Sequence, residues 1–290
     1  MQDYDITLKT LSDKFPHHFV NLVFKDFKGE ITPLNKELPA NIRESDCLIK
    51  VKDTTKHTEF ILHLEFQSSH DINMPHRMLS YFARIYDMYK IPIYPLVIYL
   101  NPDNSGLNIV DTFVNSIYDK DILFFKYEVL KIWEMDQNRI IDNNLYGLFP
   151  ILPLAKVRAI DDKQNLTECF NLVRKIGIED EVLKADIYVC TGILAGLRYP
   201  KELIKSLMKV ENMEESVIYQ DILNKGKEKG REEGMEESII QILSKRFGNI
   251  SPGLADIIYN AKNESQLHKL IDLALSSNNL SEFEEQIQNT

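Results

Sequence analysis

Residues 45–67 constrain this chain most, because two runs there alternate apolar and polar side chains at the two-residue period of a β-strand. In 60–67, Phe60, Leu62, Leu64 and Phe66 take one face, and Ile61, His63, Glu65 and Gln67 take the other. In 46–52 the same parity separates Cys47, Ile49 and Val51 from Asp46, Leu48, Lys50 and Lys52. Asp53-Thr54-Thr55-Lys56 reads as the polar turn between them. An antiparallel pair with so short a connection brings Asp46 and Glu65 together at one end of a sheet.

The flanking pattern sets the fold class. Phe15, Phe19, Leu22, Val23 and Phe27 recur at helical spacing, with Gly29 where a helix stops. An irregular stretch with Pro33 and Pro39 follows, then the two strands. A second helix spans 74–90, with Pro75 in its first turn and Met78, Phe82, Ile85 and Tyr89 as its apolar stripe. Residues 94–100 read as a strand buried on both faces, closed by Asn101-Pro102. Helix, strand, strand, helix, strand makes an α/β unit. Short strands are expected at 108–110 and 122–125, and beyond Asn144 the chain turns helical.

Four segments follow: an α/β core at 1–150, a helical extension at 151–212, a charged helix at 213–238 and a small helical module at 239–290. In the third, Gly226, Gly230 and Gly234 recur every four residues, each costing a helix about 1 kcal/mol. A solvated linker helix is the favoured reading, and close helix–helix approach along the glycines is the alternative. The second reading predicts a homo-oligomer through the C-terminal helices.

A chain of 290 residues, 44% of them hydrophobic, can bury a real core. Its net charge of −10 is uneven: the first hundred residues hold 12 Lys and Arg against 13 Asp and Glu, leaving 22 against 31 beyond. The basic signature of a dedicated nucleic-acid binder is absent, although a locally basic groove is compatible with the first hundred residues. The acidic N-terminus does not resemble a secretory signal, and the apolar run near 94–100 is too short to cross a bilayer. A cytoplasmic protein without membrane contact is expected. Cys47, Cys169 and Cys190 are irregularly spaced, as befits reduced core thiols rather than a zinc site.

Two carboxylates at one end of a sheet suit metal-dependent phosphodiester cleavage. Oxygen ligands hold Mg²⁺ or Mn²⁺, which polarises the phosphate and acidifies the attacking water. Asp46 and Glu65 supply such oxygens, with the carbonyl of Phe66 as a third. The commonest version of this site has a lysine two residues after the glutamate, to orient water and stabilise negative charge. Here that residue is Gln67.

Asp46-Cys47-Leu48-Ile49-Lys50-Val51, His63-Leu64-Glu65-Phe66-Gln67-Ser68-Ser69, and Met74-Pro75-His76-Arg77 with Tyr81 and Arg84 are consecutive blocks. Together they resemble the Rpn family of recombination-promoting nucleases within the PD-(D/E)xK superfamily. Tyr4-Asp5-Ile6-Thr7-Leu8-Lys9 is similar to that family's opening motif, and 215–220 and the module after the glycine run look like parts of its longer members. The resemblance implies a restriction-endonuclease-like core, a central mixed sheet flanked by helices, followed by an all-helical extension. It also implies a divalent-metal DNA endonuclease with Asp46 and Glu65 as ligands and Gln67, ordinary in this family, at the lysine position. Transposase-like activity in DNA recombination belongs to the same expectation.

The missing positive charge then has to come from elsewhere. Lys50 shares a face with Asp46 but lies four residues along, roughly 13 Å in an extended strand. Arg77 is the better candidate, expected to share a helix face with Tyr81 and Arg84 apart from the apolar stripe; Lys9 is a weaker one. Arg84 is read as pairing with surface acids, Asp5 as capping the first helix, and His63 as a satisfied polar residue beside the site. The rival function is an inactive nuclease fold kept as a DNA- or protein-binding assembly module, which the acidic charge and Gln67 favour.

Overall fold

The computed structural model describes residues 2–25, 27–34, 47–102, 109–156, 161–261 and 263–288. Helices α1 (Gln2–Lys14) and α2 (Pro16–Val23) lead into strands β1 (Gly29–Pro33), β2 (Cys47–Asp53) and β3 (Thr58–Gln67). Helix α3 (Met74–Tyr89) and strand β4 (Ile93–Tyr99) follow, then a hairpin of β5 (Thr112–Ile117) and β6 (Lys120–Lys126), and strand β7 (Glu128–Lys131). The main sheet runs β1-β2-β3-β4-β7; β1, β2 and β3 pair antiparallel, whereas β3, β4 and β7 pair parallel. This is a mixed five-stranded sheet flanked by helices, consistent with a restriction-endonuclease-like core.

The alternation in β2 and β3 becomes two separate cores. Cys47, Ile49, Val51, Leu62, Leu64 and Phe66 point into the larger one, against Leu8 and Leu11 of α1 and Phe19, Val20 and Leu22 of α2. Leu48 and Ile61 point the other way, against Met74, Met78, Tyr81 and Ile85 of α3. β4 divides likewise, Leu96 and Ile98 to one side and Val97 and Tyr99 to the other, so it is buried on both faces. α3 starts as its sequence dictates: Pro75 occupies the first turn, and Asp71 Oδ1 accepts from Asn73 N at 2.9 Å.

After a short α4 (Asn138–Ile141), residues Tyr146–Leu154 form a buried 3₁₀ run whose Pro150 and Pro153 preclude an α-helix. Helices α5 (Asp162–Arg174) and α6 (Glu181–Ala195) are N-capped by Asp161 and Asp180, and α7 (Lys201–Leu207) follows Pro200. Their apolar residues, among them Leu166, Phe170, Ile187 and Leu194, join the larger core of the sheet. Asp186 of α6, 1% exposed, pairs with Lys14 and accepts from Ser216 Oγ at 2.7 Å and Ile218 N at 3.2 Å. It ties α1, α6 and the start of α8 (Val217–Phe247).

The chain divides into compact units Met1–Ile218 and Tyr219–Thr290, with α8 crossing the division. In the second unit, Ile239 and Leu243 pack with α9 (Pro252–Tyr259), α10 (Glu264–Ser276) and α11 (Leu280–Gln288) through Leu254, Ile258, Leu267, Leu270 and Phe283. Around Gly226, Gly230 and Gly234 a β-carbon would meet nothing within 4 Å. Among the described residues no helix is long and apolar enough to cross a membrane. All three cysteines are buried.

Several local readings give way. The helix expected up to Phe27 ends at Val23, and Gly29 opens β1 instead of closing a helix. Asp5 falls within α1 rather than ahead of it. Ile109 and Val110 are not in a strand; β5 begins at Thr112. Tyr81, 4% exposed, belongs to the packed face of α3, since Met74, Met78, Tyr81 and Ile85 follow the i, i+4, i+7, i+11 stripe that meets the sheet.

Candidate functional site

Glu65 and His63 stand on the face of β3 that α3 covers, so a polar strand face has become an interior one. Glu65 is 3% exposed and His63 0%. α3 brings Arg77 over them: its Nη2 lies 3.0 Å from Glu65 Oε1, and its Nη1 donates to Asp71 Oδ2 at 3.1 Å. One guanidinium therefore bridges two carboxylates. A buried carboxylate is tolerable only where such a charge balances it.

The balance is incomplete. Glu65 Oε2, Arg77 Nε and Nη2, and both ring nitrogens of His63 are buried without a hydrogen-bond partner among the described residues. The Arg77–Glu65 approach is thus a charge contact in which the N–H bonds of Nη2 miss hydrogen-bond geometry. His63 Nε2 is 3.8 Å from Glu65 Oε2, too long for a hydrogen bond, and its ring meets Tyr81 edge-on at 5.4 Å. His63 is not the satisfied polar residue that a strand histidine ordinarily is. Native interiors leave few polar atoms unpaired, and this cluster gathers five of them.

Gln67 ends β3, half-buried, opposite Tyr99 of β4, and its carbonyl accepts from Leu100 N at 2.8 Å. The Phe66 ring turns away from Glu65 into the larger core, edge-on to Phe19 at 5.9 Å. Ile61 N donates to Pro92 O and Gln67 O accepts from the chain after β4, so the backbone groups of 61 and 67 face β4. The alternation of strand groups turns the Phe66 carbonyl toward the β2 side. Asp46 lies outside the described residues; its neighbour Cys47 is paired with Leu64, the neighbour of Glu65. Among the described residues no group of three or more His, Cys, Asp or Glu could hold a metal ion.

Of the other cations weighed for this site, Lys50 is paired with Glu59, while Lys9 is half-buried on α1 and Arg84 half-buried two turns beyond Arg77 on α3. Sequence reasoning missed Asp71, whose signal was its position three residues before the helix start, where an Asx turn belongs. It also missed Tyr99 and Tyr127 of the α3-side core. Burial, reinforced by the Asp71 carboxylate and opposed by Arg77, pushes the Tyr99 phenol up to about 12. Burial raises that of Tyr127 as well, with Tyr99, Asp111 and Asp71 adding to it. Both stay neutral hydroxyls beside the charged cluster.

No curated protein and no solved structure matches the chain. A protein-family model described as "Putative transposase, YhgA-like" matches residues 2–183, the stretch that holds the sheet, α3 and the buried cluster.

Proposed function

The chain belongs to this YhgA-like transposase family, and from that membership and the cluster under α3 we propose that it is a divalent-metal-dependent DNA endonuclease. The observation that carries the reading is the pairing of opposites left unsatisfied in one place. Glu65 Oε2 is a buried acceptor with no donor, and Arg77 Nε and Nη2 are buried donors with no acceptor. A cation on the first and a phosphate oxygen on the second complete both. Cys47 and Leu64 form an antiparallel register pair; their chain neighbours Asp46 and Glu65 each offer a carboxylate oxygen, and Phe66 offers its carbonyl. These three oxygens fit Mg²⁺ or Mn²⁺, hard cations that take oxygen ligands.

When bound, the metal supplies Lewis acidity toward the phosphate and lowers the pKa of water. The residues of the chain do the rest. Arg77, bridged between Glu65 and Asp71, presents a fixed positive charge where a phosphodiester would gain negative charge, the role that uncharged Gln67 cannot fill. Asp71 orients Arg77 from the turn that starts α3. Gln67 at the end of β3 offers an amide to position water.

Incubation with supercoiled plasmid in Mg²⁺ or Mn²⁺ tests the proposal: nicking is expected, and its absence above an Asp46→Ala, Glu65→Ala control sinks it. One observation favours the rival, a catalytically inactive fold that binds DNA or protein: the Arg77 guanidinium already balances the charge of Glu65. Under that reading plasmid is bound but stays intact, and Mn²⁺ does not bind.

A further inference from the structure

The hairpin of β5 and β6 stands apart from the main sheet and is held on one face only. Phe113 packs at 6.0 Å on the His76 ring of α3, and Phe125 at 5.2 Å on Phe82. Opposite, the cross-strand pair Val114 and Phe124 lies bare. On that face Val114 is 46% exposed and Phe124 63%, with Ile122, 63%, at the bulge and Tyr118, 97%, at the turn, whereas Ile117, 55%, and Leu123, 39%, lie on the Phe113 side by parity. Taking roughly 150–200 Å² for each large apolar side chain, about 600 Å² of apolar surface is left in water on this single element. About 450 Å² of it lies on the bare face and the turn, within the range of the largest patch on ordinary monomers and more than half of the roughly 800 Å² that each partner contributes to a standard interface.

We propose that the β5–β6 hairpin is a self-association surface whose occupant is the same hairpin of a second copy of this chain. Its charges argue against nucleic acid as the occupant. From Asp111 to Lys126 there are three acids, Asp111, Asp119 and Asp121, against Lys120 and Lys126, and Lys126 is paired with Asp111 at 3.7 Å. A surface that follows phosphates needs a cationic excess, which this one lacks. Apolar character with near-balanced charge is instead the composition of homodimer interfaces. Among the described residues β5 and β6 pair only with each other, so each offers a free strand edge for pairing between copies. The proposal stands independently of the nuclease reading.

Sedimentation of the full-length protein at micromolar concentration tests it. The wild type is expected to sediment as a dimer of the 33.7 kDa chain, and Phe124→Glu or Tyr118→Glu to weaken the dimer roughly 100-fold or more with the circular dichroism melt unchanged. Tyr118→Glu guards against misfolding, since its side chain is almost wholly solvated. Ile257→Glu, at an exposed apolar position of α9, should leave the dimer intact. A monomeric wild type overturns the proposal. So does a dimer that survives both hairpin variants, or one that only Ile257→Glu dissolves, which would move the interface to the C-terminal helices. A monomer whose DNA binding is lost on Phe124→Glu would assign the hairpin to nucleic acid instead.

Discussion

Replacing Asp186 by alanine removes one carboxylate that serves three groups. Its Oδ2 pairs with Lys14, while Oδ1 accepts from Ser216 Oγ and Ile218 N. Losing one partner of a buried pair costs about 3–5 kcal/mol when the remaining charge stays buried. Lys14 is 36% exposed and can rehydrate, which cancels part of that. Ser216 and Ile218 each lose this acceptor, at about 1 kcal/mol or more apiece. The sum is about 3 kcal/mol. For a unit of this size 1 kcal/mol moves the midpoint by about 2–4 °C, so Asp186→Ala should melt about 6–12 °C below the wild type by calorimetry. Asp186→Asn keeps an acceptor toward Ser216 and Ile218 and loses only the charge opposite Lys14, so it should cost about half as much. A loss below about 1 kcal/mol for Asp186→Ala, or equal losses for the two variants, would refute the assignment of Asp186 as the pin joining α1, α6 and α8.

His18 accepts a hydrogen bond from Gly147 N at 2.8 Å, and burial, helped by His17, holds its pKa down to about 4. The neutral ring is the folded form, so its contribution is complete above the unfolded value near 6.5 and lost as pH falls from there toward 4. After allowance for solvent screening, urea titrations should show about 2 kcal/mol lost over that window, absent in His18→Gln; a His18 pKa near 6.5 by NMR would contradict this. Gly147→Ala should cost about 1–3 kcal/mol in denaturant midpoints, because its β-carbon would lie 2.2 Å from Phe15 Cγ; a neutral effect would mean that the Phe15 ring moves freely. Arg77→Met should reduce plasmid nicking about 100-fold without weakening Mn²⁺ binding, because it removes a charge aimed at phosphate rather than a metal ligand. Unchanged nicking would exclude Arg77.

Much of this arrangement is legible in the chain because strand alternation is a strong signal. Cys47, Ile49 and Val51 against Leu48, and Leu62, Leu64 and Phe66 against His63 and Glu65, divide between the two faces as their parity requires. β4 reads from its apolar run, and Pro75 marks the start of α3. β1 escaped because Gly29 and Pro33, ordinary breakers, sit at the two ends of a five-residue edge strand, where proline is tolerated. β7, four residues long, gives too few alternations to register. What parity cannot state is which face will be covered. That Glu65 and His63 are buried depends on α3 packing across β3, and only then do Arg77 and Asp71 become their neighbours. Tyr81 differs for the same reason: its spacing with Arg77 and Arg84 reads as their face, whereas α3 packs its ring on His63.

In the proposed function Glu65 and its neighbours hold a divalent cation. Titration calorimetry of the full-length protein with Mn²⁺ tests this most directly. One equivalent should bind to the wild type and to Arg77→Met, and binding should disappear in Glu65→Ala and in Asp46→Ala with the fold intact by circular dichroism. Silence in the wild type, or heat that persists unchanged in Glu65→Ala, would contradict the claim and leave the Arg77–Glu65–Asp71 cluster as a buried charge network of an inactive fold.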